Sequence, residues 1–421
     1  MDKQNRPVFT KEMKKDYTVL APQMLKIHFE FFEAILKTEG YNFEVLKTTH
    51  PEVVEEGLRS VHNDTCYPAL LVIGQMIDAL KSGKYDTRKV ALMLTQTGGG
   101  CRASNYIHLL RKALIKAGFD YVPVISLSLQ KLENSPGFTL DFKMIKKLNA
   151  SVLVSDLLMW VSNYKRAYEL EKGHTEQVLK TEIKKAITQI ATEKPIKKKA
   201  LVKIFEEIVT AFDKIPQGEE NKPKVGIVGE IYVKFAPLGN NNLEEFLHNE
   251  GAQIVVPGLY DFVIYQLDAA VTDINLYGGK LFKKWYSMYL RRVMINWQSR
   301  MINAINKSET LPKLSGYKAM REMAKQYIGL GNKMGEGWLL IGEIIELLHL
   351  GVNNVVCAQP FGCLPNHIIG KGMIKKIKDK NPDSNIVAID YDPGASRVNQ
   401  ENRIKLMLSN ANKKMEKEKK H

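Results

Sequence analysis

Four cysteines, Cys66, Cys101, Cys357 and Cys363, are the residues of this chain best suited to do chemistry, and all four read as lying in loop-like contexts beside glycine or proline. Cys101 ends the stretch Thr95-Gln-Thr-Gly-Gly-Gly-Cys-Arg102, which joins a strand-like run at 90–94 to a helix-like run at 103–117. Gly99 and Gly100 let the backbone turn sharply and approach a bulky group closely. Cys66, in His62-Asn-Asp-Thr-Cys-Tyr-Pro68, also precedes an apolar helical pattern directly. Unpaired N–H groups and the dipole at a helix start favour a thiolate, or an anionic metal–sulfur group bound through it. Any one of these cysteines reads as well as a small core residue; the four together weigh toward ligation.

In a cytoplasmic chain a structural disulfide is not expected. The tight C-x2-C pairs of a structural zinc site are absent. Soft thiolates without histidine partners suit zinc or an iron–sulfur cluster, and single dispersed cysteines suit a cluster in a cleft better. Other candidates surround them. His62 and His367 flank the cysteine loops as proton carriers or structural residues, and Arg102 and Asn105 open the Cys101 helix as orienting or capping groups. Glu230 ends a strand-like run as a proton donor or an ordinary carboxylate, while Asp390 and Asp392 read as turn residues. Gly226, Gly229 and Gly239 do not compose GxGxxG, so a dinucleotide is discounted. The glycine-rich stretch 329–338 either lines a cleft or turns the chain.

These residues need elements to hold them. Residues 17–21, 43–46, 90–94 and 122–128 read as strands, alternating with helices at 23–39, 51–61, 69–82 and 103–117. That alternation predicts a doubly wound lobe, with Cys66 and Cys101 on strand-to-helix loops facing the crevice outside the sheet's carboxyl edge. Residues 142–213 read as two helices split near Pro195, with a polar face for solvent or a partner. A second lobe follows, with strands at 224–230, 252–257, 354 onward and 386–391. Between them, 262–327 reads as helices whose aromatics, including Trp285, Tyr286 and Trp297, are mostly core. The expectation is an α/β fold of two doubly wound, flavodoxin- or Rossmann-like parallel-sheet lobes, 1–141 and 223–410, with a helical insert and linker at 142–222, a disordered basic tail at 411–421, and the cysteines facing an interlobe cleft.

At 421 residues the chain has room for two or three domains, and 44% apolar with 25% charged residues is ordinary globular composition. The formal charge of +15 is spread over surface runs such as 184–203 and 413–420, which argues against a nucleic-acid groove. It would attract an acidic partner or a CoA phosphate group. No signal-peptide-like or membrane-spanning stretch is read, so the expected compartment is the cytoplasm.

The segments Phe9-Thr-Lys-Glu-Met, His62-Asn-Asp-Thr-Cys-Tyr-Pro-Ala-Leu, Thr95-Gln-Thr-Gly-Gly-Gly-Cys-Arg-Ala-Ser-Asn, Val228-Gly-Glu-Ile-Tyr, Gly335-Glu-Gly-Trp and Cys357-Ala-Gln-Pro-Phe-Gly-Cys-Leu-Pro-Asn-His together resemble the 2-hydroxyacyl-CoA dehydratase superfamily. Within it they are most similar to the C-terminal module of large acyl-CoA dehydratase activase-related proteins, over residues 7 to about 409. The resemblance implies a [4Fe-4S] cluster in the interlobe cleft, or an [8Fe-9S] double cubane in some relatives. It also implies electrons delivered singly by an ATP-hydrolysing activator of actin-like fold with its own iron–sulfur cluster, a homodimer, and oxygen sensitivity. Relatives dehydrate 2-hydroxyacyl thioesters through a ketyl radical, reduce benzoyl-CoA, or reduce small molecules. Carried onto this chain, the three-cysteine pattern assigns Cys66, Cys101 and Cys357 as ligands, with Cys363 closing or leaving open a fourth iron. Four cysteines fall short of the six thiolates of a double cubane. An open iron implies catalysis, dehydratase-like or reductive; a closed one implies a noncatalytic electron relay that docks with the activator. A zinc-stabilised scaffold is the remote third reading, and the use of CoA rests on the family alone.

Overall fold

The structure is a computed structural model that describes residues 6–418, apart from 63, 98, 99, 129–132, 134, 193 and 195. The first lobe runs α1 (Met13–Asp16), β1 (Thr18–Pro22), α2 (Lys26–Thr38), β2 (Asn42–Leu46), α3 (Glu52–Ser60), α4 (Tyr67–Lys81), β3 (Val90–Thr95), α5 (Tyr106–Ala117) and β4 (Val124–Leu127). Three helices follow: α6 (Phe142–Tyr168), α7 (His174–Ile190) and α8 (Lys198–Asp213). The second lobe begins with β5 (Lys224–Gly229), α9 (Ile231–Phe235), α10 (Pro237–Asn240), α11 (Leu243–Asn249) and β6 (Gln253–Val255). It continues with α12 (Leu259–Tyr277), α13 (Leu281–Asn306), α14 (Tyr317–Lys325) and α15 (Leu339–His349). It ends with β7 (Asn354–Pro360), α16 (Ile374–Lys380), β8 (Asn385–Tyr391) and α17 (Arg397–Glu418).

Each lobe is a four-stranded, all-parallel sheet, ordered β2-β1-β3-β4 in the first and β6-β5-β7-β8 in the second. The two doubly wound lobes therefore share one topology. Their central strands are covered on both faces, which is why 90–94 and 225–229 are unbroken buried runs rather than alternating ones. In each sheet the winding direction reverses between the first and third strands, and ligands of such folds sit outside the carboxyl ends there.

The helical insert differs from expectation. It is three helices, the additional break falling at Gly173, which takes φ +91° before α7. Its first helix is a middle layer rather than a solvent-facing appendage: α6 packs on α2 of one lobe and on β6 and α12 of the other. Residues 150–159 of α6 are all buried, so no polar stripe survives along that part of the helix. At its centre the Asp156 carboxylate lies 2.8 Å from His28 Nε2 and accepts the N–H groups of Leu259 and Tyr260 at 2.9 and 2.8 Å. One side chain thus ties α2 to the start of α12. Beyond residue 410, where a disordered tail was expected, α17 continues to Glu418.

Candidate functional site

The loops at the carboxyl ends of the two sheets meet along one seam. From the first lobe come Cys66, which caps α4, and Cys101, at the start of the 3-10 turn 102–105 leading into α5. From the second come Glu230, which caps α9, the loop 361–363 after β7, and the loop 329–338 before α15. Phe361 accepts the Tyr67 N–H at 3.0 Å across the seam. Gly362 takes φ +71°, and a Cβ built on it would stand 3.0 Å from the Cys66 Cα, so glycine is required by both conformation and space.

Three thiols gather here. Cys66 and Cys363 are 5% and 8% exposed, and Cys101 is half-buried. Burial pushes all three thiols up, that of Cys101 to about 11, and the nearby Glu230 carboxyl adds to the effect in each. Glu336 does the same for Cys101 and Cys363. Cys66 is 3.0 Å from the Tyr106 hydroxyl, whose own acidity is suppressed by burial and by Cys66 and Glu230. Glycines shape the lining as well. A Cβ on Gly335, at φ +60°, would lie 4.0 Å from the Cys101 sulfur, and one on Gly100 would strike the Met334 sulfur at 2.7 Å.

The two carboxyls are held by backbone. Glu230 accepts the Val233 N–H and Glu336 the Ile231 N–H, each at 2.9 Å. Burial, then the proximity of Glu336, pushes Glu230 up to about 8, and burial raises Glu336 too. Behind them Lys234 and Glu343 form a buried ion pair of 2.8 Å. The raised pKa favours the protonated form of the Glu230 carboxyl at neutral pH, beside three thiols.

Other residues singled out from sequence fall elsewhere. Cys357 is inside β7, fully buried among Val355, Ile341 and Ile377, rather than in a loop. Gln359 Nε2 lies 3.7 Å from its sulfur, and burial pushes the thiol up to about 12. Cys66 lies between α3 and α4, not at a strand end, because the β2-to-β3 crossover contains two helices. The His62 side chain is 73% exposed and turns to Asp64 at 3.4 Å. His367 is half-buried in the single π-helical turn Asn366–Gly370. Arg102 is exposed and donates to the Asp64 carbonyl, tying the Cys101 turn to the Cys66 loop. Asn105 is exposed and makes no side-chain cap to α5. Gly99 lies outside the described residues. Asp392 accepts the Gly394 N–H at 2.7 Å as a turn residue, and Asp390 pairs with Lys371.

Tyr106 and Glu336 escaped sequence reasoning as individual residues. A tyrosine five places after Cys101 carries no motif of its own, and Glu336 was legible only as part of Gly335-Glu-Gly-Trp. Among the described residues, no group of three His, Cys, Asp or Glu stands close enough to hold a single metal ion. A cluster with one thiolate per iron spreads its ligands wider than one ion does. The donor types fit such a group: two buried thiols and one half-buried thiol, drawn from both lobes, and a Glu230 carboxyl whose raised pKa lessens its repulsion of an anionic neighbour. No helix of the described residues is long and apolar enough to cross a membrane. No family model matches the chain, and no curated protein is significantly similar to it.

Proposed function

We propose that the chain is an iron–sulfur protein that accepts low-potential electrons and uses them for reductive or radical chemistry in the interlobe seam, as its motif resemblance to 2-hydroxyacyl-CoA dehydratases implies. The observation that carries this reading is the convergence of Cys66, Cys101 and Cys363, from two lobes, on the buried Glu230 carboxyl, with Glu336 beside the latter two. In this reading those three thiols hold a [4Fe-4S] cluster, which supplies one-electron reduction. With Cys357 buried inside β7, this reading leaves one iron without a cysteine, and that favours catalysis over a closed electron relay.

The chain's own residues then divide the work. Tyr106 orients the Cys66 sulfur and excludes water from it. Glu230, held at the α9 start, keeps a proton at its carboxyl and donates it to a group bound in the seam. Glu336 holds the Glu230 pKa high and fixes the start of α9 through Ile231. The donor is proposed to be an ATP-hydrolysing activator with its own cluster, and the substrate an acyl thioester or a small reducible molecule.

Electron paramagnetic resonance of the anaerobically reconstituted, dithionite-reduced chain tests the reading. A cluster signal perturbed by an added 2-hydroxyacyl thioester or small ligand supports an open iron; a signal that no additive perturbs supports the relay instead.

A further inference from the structure

A group of exposed apolar side chains lies on the hairpin formed by α12 and α13. Tyr277, Leu281, Phe282, Trp285, Tyr286 and Tyr289 are between 55% and 82% exposed. Residues 281, 285 and 289 recur at four-residue spacing, as do 282 and 286, so one outward stripe of α13 is aromatic. Phe282 and Tyr286 stack with centroids 6.4 Å apart. These side chains read as core from sequence because helical spacing of apolar residues is the usual mark of a buried face. Here the buried side of the first turns is little more than Ser287, and the apolar stripe faces out. Contiguous exposed apolar surface of this kind marks an interaction site, and tryptophan and tyrosine are the residues that most often anchor one.

Charge narrows the occupant. From Ile274 to Ser308 the sequence contains Lys280, Lys283, Lys284, Arg291, Arg292, Arg300 and Lys307 and no Asp or Glu. Arg291 is spent on Asp268 and Lys307 on Glu206, whereas Lys280, Lys283, Lys284 and Arg292 make no ion pair among the described residues. A second copy would set this basic rim against its own like. An acidic face would complement it.

Position narrows it further. Leu276, at the end of α12, reaches Gly331 closely enough that a Cβ there would stand 2.9 Å from its Cδ1, and Lys333 pairs with Asp273 of the same helix. Three residues on, Met334 is 51% exposed and lies over Gly100, next to Cys101. The aromatic stripe is therefore continuous, through the loop 329–338, with the rim of the three-thiol seam. Electron transfer falls steeply with distance, so a donor seated here would have its carrier near the acceptor.

We infer that the α12–α13 aromatic stripe with its basic rim is the docking surface for an electron-donating redox protein whose own docking face is acidic. The inference rests on the seam being the electron-accepting site, and its test separates the two. An acidic two-cluster ferredoxin, standing in for the proposed activator as an iron–sulfur donor with an acidic face, is the probe, titrated calorimetrically into the full chain with and without reconstituted cluster. The expected result is salt-sensitive binding that weakens about tenfold or more in Trp285→Ala and in the double variant Lys283→Glu/Lys284→Glu. Reduction of both variants by dithionite stays at the wild-type rate. Binding with no dithionite-reducible cluster would uphold the surface and refute the proposed function. Three results would overturn the inference: ferredoxin binding that is absent or equal in all forms, binding to phosphatidylglycerol vesicles lost in Trp285→Ala, or a sedimenting dimer of the chain lost in Trp285→Ala.

Discussion

The hydroxyl of Tyr106 stands 3.0 Å from the sulfur of Cys66, joining the first residue of α5 to the residue that caps α4. A hydroxyl donated to a ligating thiolate stabilises its negative charge and so favours the reduced state of a cluster bound through it. Tyr106→Phe should keep the cluster and lower its midpoint potential by on the order of tens of millivolts, the loss of one charge-assisted hydrogen bond. A redox titration followed by electron paramagnetic resonance reads this directly. An unchanged potential would leave the tyrosine with packing alone.

Glu230 makes folding depend on pH. Burial, and then the nearby Glu336, push its carboxyl up from the ordinary carboxylate range to about 8 in the folded chain. The folded state thus binds the proton more tightly than the unfolded one, so stability falls as pH rises through the window between the two. Because Glu230 and Glu336 interact, the titration belongs to the pair. Between pH 6 and pH 9 the cluster-free wild type should lose on the order of 1–3 kcal/mol more than Glu230→Gln, measured by urea denaturation at each pH.

The fold was largely legible. Short unbroken apolar runs such as 90–94, rich in residues that suit a covered strand and followed by a glycine turn, read as buried strands, and the glycines closing α2 and α5 mark their ends. What sequence hides is direction. Position 357 lies next to a loop but points into the β7 core, and whether a strand continues one residue further is decided by its neighbour β8, not by local propensity. Cys363, delivered by the Gly362 turn, is the thiol with Cys101, Glu230 and Glu336 in its surroundings. Likewise the stripe of α13 has core-like spacing and no core to face.

Gly362→Ala should damage the seam without touching a thiol. A Cβ there meets the Cys66 Cα at 3.0 Å in a left-handed backbone. The expected cost is about 1–3 kcal/mol, visible as a lowered Tm and faster labelling of Cys66 by a thiol reagent. Equal labelling in both forms would mean that the seam tolerates the methyl.

Asp156 holds the middle layer to both lobes. It is fully buried, and removing its carboxylate orphans the Leu259 and Tyr260 N–H groups and the Nε2 of His28. Asp156→Ala should cost about 3–5 kcal/mol, and Asp156→Asn, which keeps one acceptor oxygen, visibly less. Chemical denaturation of the two variants side by side tests the ranking.

The most direct test of the three-thiol site is anaerobic iron and sulfide quantification in four single Cys→Ser variants. The wild type should hold about four irons and four sulfides per chain. Cys66→Ser, Cys101→Ser and Cys363→Ser should each lose them, while Cys357→Ser, altered inside β7, keeps the cluster even if its Tm drops. Loss in Cys357→Ser with retention in Cys363→Ser, or a wild type that takes up no iron, would contradict the assignment.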